Sequence, residues 1–352
     1  MRIRSIHFDQ VGPLGRSEPY ACKLEDSWRG GLHDMILLSG PNGCGKTTVL
    51  RAVAHLWALT GSWLAAQGRR GKSRHSSWRW LSRWGGVAVI LDDVPLAGSL
   101  GLFIGDDAFF EHLDERYPNL FWISEGRPRI KGQSTEHLKI HTTSWLPDLS
   151  DLYKRLILTN ASSMPNMIHL DGEERRWVAP TKGLGEVVAD DPQMKWLVGY
   201  RANEDWKGQL EASLIAMKTL DEGKYFRVLE DLNSFLKPKQ IDPQPDSNTL
   251  RLRVFVPGGD SRTEHTLDDL SAGEHQVLIQ LYLVSRWLNE GGIVMIDEPD
   301  LHLHPSLLNG FLSRLEVLVS ERNGQLFLTS HNPELWQRYE NKGLRIQLGG
   351  EP

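Results

Sequence analysis

The run "MILLSGPNGCGKTTVL", residues 35–50, decides how this chain folds. Its apolar start reads as a short buried strand that ends in glycine. From Lys46 onward, "KTTVLRAVAHLWALTGSWLA" has helical spacing, with Val49, Leu50, Val53, Leu56 and Trp57 on one side. Between strand and helix, Gly40, Pro41, Asn42, Gly43, Cys44, Gly45, Lys46, Thr47 and Thr48 fit the spacing G-x-x-x-x-G-K-[ST]. The glycines let backbone N–H groups turn inward around phosphate oxygens, and the helix aims its N-terminus at the same anion. Lys46 is placed to reach the terminal phosphates and Thr47 to offer a hydroxyl to Mg²⁺. The pattern therefore predicts ATP and Mg²⁺ as ligands. Cys44, inside the loop, reads as a small tolerated residue.

Three further stretches belong with this loop. "IVMIDEPDLHLHP" (293–305) is an apolar strand of the kind buried on both faces of a parallel sheet, and it ends in acids. Asp297 at the strand end suits Mg²⁺, and Glu298 suits a general base toward water. His302 and His304 are metal-ligand types, but the neighbouring acids already have a use. "LDDLSAGEHQ" (267–276) places Ser271, Ala272, Gly273 and Glu274 at the start of a helix, where hydroxyl and N–H donors face outward. "LFLTSHNP" is a strand that ends in His331.

In this order the stretches resemble the ABC-type ATPase superfamily. "LSAGE" is similar to its LSGGQ signature, with Ala for one Gly and Glu for Gln. "DEPDLHLHP" narrows the resemblance to the branch that holds OLD-family, RecF-like and SMC-like proteins and the AAA_21-type antiphage ATPases. The resemblance implies an α/β P-loop NTPase fold, an ABC-type ATPase head carrying an inserted, mostly helical lobe. It also implies that two heads sandwich ATP. Ser271, Ala272, Gly273 and Glu274 of one copy would contact nucleotide held by the other. Asp300 would be the D-loop acid at the seam, Glu298 the base and His331 the switch histidine. The expected partners are a second copy or a higher oligomer, a separate effector protein, and DNA or RNA. Two other readings fit parts of the pattern: a transporter's nucleotide-binding subunit, and a metal-dependent nuclease built on the acids and histidines of 297–304.

The resemblance covers about 1–60 and 250–340 and leaves the middle open. The expected division is an N-terminal ATPase lobe over 1–94, an insertion over 95–245 and a C-terminal ATPase lobe over 246–352. The insertion is expected to mix helix and short strands, with strand candidates at "NLFWIS" (119–124), "HLKIHTTSW" (137–145) and "NMIHLDG" (166–172) and a helical stretch over about 203–236; "LRLRVFVPGG" (250–259) beyond it reads as a strand. Gln67 and Gln133 are both candidates for the family's Q-loop glutamine. Arg69, Arg70, Lys72, Arg74 and Arg79 interleave with Trp78, Trp80 and Trp84, a mixture that suits nucleic-acid contact as well as a packed basic surface. About 20 residues follow His331, so a TOPRIM nuclease domain is not expected after it.

Bulk composition agrees with a folded protein. The 352 residues are 40% hydrophobic and 24% charged, enough for a sizeable core. A net charge of −5 excludes a polycation that coats nucleic acid over its whole surface. Cys22 and Cys44 are the only cysteines, too few for a disulfide framework or a four-cysteine zinc site. Neither a signal peptide nor an apolar run of roughly 20 residues is present, which predicts a cytoplasmic protein without membrane insertion.

Overall fold

The computed structural model describes residues 1–26, 30–66, 76–127, 137–140, 146–159, 164–179, 192–200, 210–258 and 265–349. The chain opens with β1 (Arg2–Asp9), β2 (Tyr20–Lys23) and β3 (Met35–Ser39), then α1 (Lys46–Ala65) and α2 (Ser76–Leu81). Next come β4 (Gly86–Val94), β5 (Gly98–Asp106), α3 (Asp107–Arg116), β6 (Phe121–Arg127), β7 (His137–Ile140), α4 (Leu146–Leu158), β8 (Met167–Leu170) and β9 (Leu197–Val198). Helices α5 (Leu210–Leu220) and α6 (Glu222–Leu236) precede the short strands β10 (Gln240–Ile241), β11 (Arg253–Phe255) and β12 (His265–Thr266). The chain closes with α7 (Ala272–Trp287), β13 (Ile293–Ile296), α8 (Pro305–Ser320), β14 (Gln325–Ser330), α9 (Pro333–Lys342) and β15 (Leu344–Gln347).

Two six-stranded sheets organise these elements. One has the order β15-β3-β14-β13-β8-β9, with every pair parallel. The other, β2-β1-β4-β5-β6-β7, is largely antiparallel. Side chains alternate across a strand, and the parallel sheet feeds two cores. Ile36, Leu38, Ile293, Met295 and Phe327 join α1 and the inner face of the antiparallel sheet. Leu37, Val294, Ile296, Leu326 and Leu328 join α5–α9 on the opposite side. Burial on both faces is why these strands read as unbroken apolar runs rather than alternating ones. A third core, under α3, covers the outer face of β4 and β5 with Ala88, Ile90, Phe103 and Trp122.

Helix α1 is therefore clasped between sheets. Its Trp57 stacks on Trp196 at 3.9 Å. Each indole N–H donates to the other residue's carbonyl, at 3.0 and 2.8 Å. Both polar handles are satisfied inside an apolar contact.

Among its described residues the stretch 95–245 mixes helices α3–α6 with strands β5–β10 rather than forming a mostly helical lobe, and it is woven into the rest of the molecule. The expected boundary at 94/95 falls between β4 and β5, which pair antiparallel. Strand β8 lies beside β13 in the parallel sheet. The helical stretch expected from about 203 divides at Asp221, whose carboxylate caps α6 by accepting the Lys224 N–H at 2.9 Å; residues 203–209 are outside the described set. The alternating run from Leu250 yields only β11. A turn precedes it, with the Leu250 N–H donating to the Asp246 carbonyl at 2.8 Å and the Thr249 N–H to the Asp246 side chain at 2.8 Å. Among the described residues no helix is long and apolar enough to cross a membrane.

Candidate active site

Adjacent parallel strands bring the sequence motifs together. In the register of the sheet, Ser330 at the end of β14 pairs with Ser39 at the end of β3, and Leu328 pairs with Ile296 at the end of β13. The phosphate loop, His331 and Asp297 thus leave the same carboxyl edge, where open α/β sheets place their ligands.

The loop itself depends on glycine. Gly45 precedes α1 with φ +103°, and a Cβ there would sit 2.9 Å from Pro13 Cγ. Gly40 has φ +141°, and a Cβ there would lie 2.3 Å from the Leu348 carbonyl oxygen. Only glycine accepts such backbone at no cost. Cys44 is buried in the loop, against Gly40 and Gly349.

Lys46 is 5% exposed. Its ammonium donates to the carbonyls of Gly40 and Pro41 at 3.0 and 3.2 Å and lies 2.8 Å from His331 Nε2. The same His331 nitrogen is 3.3 Å from Glu298 Oε1. Thr47 donates its hydroxyl to Asp297, at 2.8 Å to Oδ2 and 3.1 Å to Oδ1. Thr329 donates to Asp297 Oδ1 at 2.6 Å and accepts the Glu298 N–H at 2.8 Å. Glu298 has φ +46°, a left-handed conformation that costs a non-glycine residue about 1–3 kcal/mol and persists where surrounding structure holds it.

The turn after Glu298 carries the remaining acid and the histidines. Asp300 faces inward, its Oδ2 accepting from Ser330 Oγ at 2.9 Å. Burial raises its pKa above the usual carboxylate value, against the pull of that hydrogen bond. His304 is the N-cap of α8: Nδ1 accepts the Ser306 N–H at 3.3 Å, and Pro305 opens the helix. His302 sits at φ +64° in the turn. Among the described residues no group of three or more His, Cys, Asp or Glu side chains is placed to hold a metal ion.

Ser271, Ala272, Gly273 and Glu274 form the capped start of α7. Ser271 Oγ accepts the Glu274 N–H, and Glu274 accepts the Ser271 N–H at 2.8 Å. Lys239 lies 2.7 Å from Glu274. Burial opposes ionisation of Glu274, but the hydrogen bonds from Lys239 and Ser271 outweigh it and lower its pKa. Gly273 packs near His302 and Leu303, so this helix end abuts the turn after Glu298.

Of the basic tryptophan stretch, Arg69, Arg70, Lys72 and Arg74 lie outside the described residues, as do Gln67 and Gln133. Arg79 is exposed on α2. Trp78 donates its indole N–H to Glu125 at 2.7 Å. With Trp80 and Trp84 it packs against the core around α1, so all three rings are largely engaged within the fold.

Arg175 was not singled out from sequence. It is 1% exposed, in the segment after β8. Its Nη2 donates to the Glu298 carbonyl at 2.8 Å and its Nη1 to Gln280 Oε1 at 3.3 Å. Burial pushes its pKa down to about 10, with Asp297, Asp171, Asp300 and Glu298 acting in the opposite direction. The local sequence, "DGEERR", offers no sign that distinguishes this arginine from Arg176.

The chain has the α/β fold of SMC heads, and part of it is similar to AAA_21-type and retron-associated ATPases. Residues 209–336 match the AAA_21 family model, described as "AAA domain, putative AbiEii toxin, Type IV TA system". The chain is similar to the "Retron Ec83 probable ATPase" of Escherichia coli, 27% identical over 192 residues, or 46% of this chain and 33% of that protein. It is also similar to "Protein ea59" of Escherichia phage lambda, 37% identical over 68 residues, or 19% of this chain and 13% of that protein. The matched regions therefore span a third or less of these curated relatives. Among solved structures, an SMC head bound to the C-terminal winged-helix domain of ScpA shares the fold at a TM-score of 0.51. That likeness is 13% identical and covers 94% of this chain and 90% of that one.

Proposed function

We propose that the chain binds and hydrolyses ATP at the carboxyl edge of its parallel sheet. The observation that carries the reading is the Thr47–Asp297 hydrogen bond. It joins the phosphate-loop hydroxyl to a 6% exposed carboxylate at the end of the acidic strand β13, which is separated from β3 by β14. Hydroxyl and carboxylate are the hard oxygen donors Mg²⁺ takes, and Thr47 and Asp297 would hold it. Mg²⁺, when bound, neutralises phosphate charge. The backbone of Gly40–Thr48 cradles the phosphates and Lys46 turns from its loop carbonyls to their oxygens. Glu298 takes the proton of the attacking water, and His331, 3.3 Å from it, orients that water.

Ser271, Ala272, Gly273 and Glu274 contact ATP held by a second copy, so nucleotide drives two heads together with Asp300 near the seam. What supports this is the exposed, capped start of α7 lying against the turn that carries Asp300. The likeness to a probable retron ATPase supports a role in antiphage defence, in which the ATP cycle controls a separate effector protein or a DNA or RNA transaction. Arg79 and the neighbouring basic residues are the candidate nucleic-acid contacts. The test is ATP turnover by the purified chain, with Lys46→Ala as the control. Turnover that survives Lys46→Ala would exclude this site.

A further inference from the structure

The segment after β8 is bolted along α7. Trp177 stacks on His275 at 4.3 Å and donates its indole N–H to Asp268 at 2.7 Å. Gln276 donates to the Arg175 carbonyl, and Arg175 Nη1 reaches Gln280 one turn further along the helix. From there the guanidinium crosses to the Glu298 carbonyl. Glu298 is therefore pinned at both peptides, its N–H by Thr329 and its C=O by Arg175, in a left-handed conformation it would not adopt unaided. Among the described residues the Arg175 Nε has no hydrogen-bond partner, and four carboxylates, Asp297, Asp171, Asp300 and Glu298, act on the group.

We propose that Arg175 is a positioning residue that couples the signature helix α7 to the Glu298 carboxylate. Movement of α7, whose first turn meets the partner's nucleotide, is passed through Gln280 and Arg175 to the Glu298 peptide and sets where that carboxylate points. The inference rests on the ATPase reading above. It adds a path by which each head's signature end governs its own base.

The test uses the full chain, with steady-state ATP turnover and equilibrium binding of the non-hydrolysable analogue AMP-PNP with Mg²⁺. Arg175→Met is expected to lower kcat by about 10²-fold, the cost of slight misplacement of a reacting group, and to leave analogue affinity unchanged. Arg175→Lys keeps a donor for the Glu298 carbonyl but not the fork that also holds Gln280, and should recover part of the loss. Gln280→Met, close in volume, should lower kcat with Arg175 intact. Analogue affinity that falls in step with kcat overturns the coupling. If Arg175→Met does not fold, Gln280→Met decides, and an unchanged kcat there overturns it. A wild-type chain that binds the analogue without turnover overturns the ATPase reading and the coupling with it. Wild-type turnover that both methionine variants retain overturns the coupling alone.

Discussion

Lys46 Nζ and His331 Nε2 lie 2.8 Å apart, although 285 positions separate them in the chain. An ammonium can only donate, so His331 meets Lys46 through the lone pair of Nε2. The same nitrogen cannot then donate to Glu298 Oε1, 3.3 Å away. When Lys46 engages a phosphate, Nε2 is released, and in the tautomer that carries its proton there it can donate to Glu298 or to water. His331→Ala should keep nucleotide affinity while turnover falls by about 10²-fold. Lys46→Ala should lose affinity itself. Binding and turnover measured on both variants separate the two roles.

Glu298→Gln removes the proton acceptor and keeps the shape. Turnover should fall by about 10²–10⁴-fold, with binding retained. Size-exclusion chromatography with Mg²⁺ and ATP should show this variant accumulating as a dimer. A variant that turns over normally would remove Glu298 from the role of base.

Gly45→Ala places a Cβ at φ +103°, 2.9 Å from Pro13 Cγ. Strained backbone of this kind costs about 1–3 kcal/mol. Chemical denaturation should show a loss of that order. Nucleotide affinity should fall as well, since the same residue precedes the helix that faces the phosphates.

Trp196→Ala removes the ring stacked on Trp57 and the indole N–H that donates to the Trp57 carbonyl. A loss of about 3–5 kcal/mol is expected for a buried tryptophan. Trp196→Phe, which keeps an aromatic ring without the N–H, should cost less. Urea midpoints of the two variants measure the difference.

His7 is buried in β1, with its Nε2 2.9 Å from Ser5 Oγ. Burial lowers its pKa from 6.5 to about 4, aided by the nearby charges of Arg116, Lys23 and His112. Between these values the unfolded chain binds a proton that the folded chain does not. Stability therefore falls as pH drops from 6.5 toward 4, with a slope of about one proton from this residue. His7→Gln should flatten that part of a stability-against-pH curve, read from urea unfolding at each pH.

How much of this was legible in the sequence varies with the range of the contacts. The strand, loop and helix over 35–65 were legible because glycine spacing, apolar runs and helical periodicity act within a few residues. The strands through the middle, β6, β7 and β8, were legible as strands, but their places in the sheets were not. Strand β8 is short, and its place beside β13 depends on a partner more than a hundred residues away. The tryptophans near residue 80 showed their type but not their orientation. The structure turns Trp78 inward to Glu125, a choice composition does not express.

By itself the sequence determined the phosphate loop, the acidic strand end, the capped start of α7 and the apolar strands of the parallel sheet. All are written in local patterns of side-chain type. Only the tertiary structure decided that Thr47 reaches Asp297, that His331 stands between Lys46 and Glu298, and that Arg175 holds the Glu298 peptide. Those contacts arise where adjacent strands end together, and strand order is set by the packing of whole faces against α1 and α5–α9. An arginine in "DGEERR" acquires its meaning only when folding removes it from water and sets it against a carbonyl 123 residues along the chain.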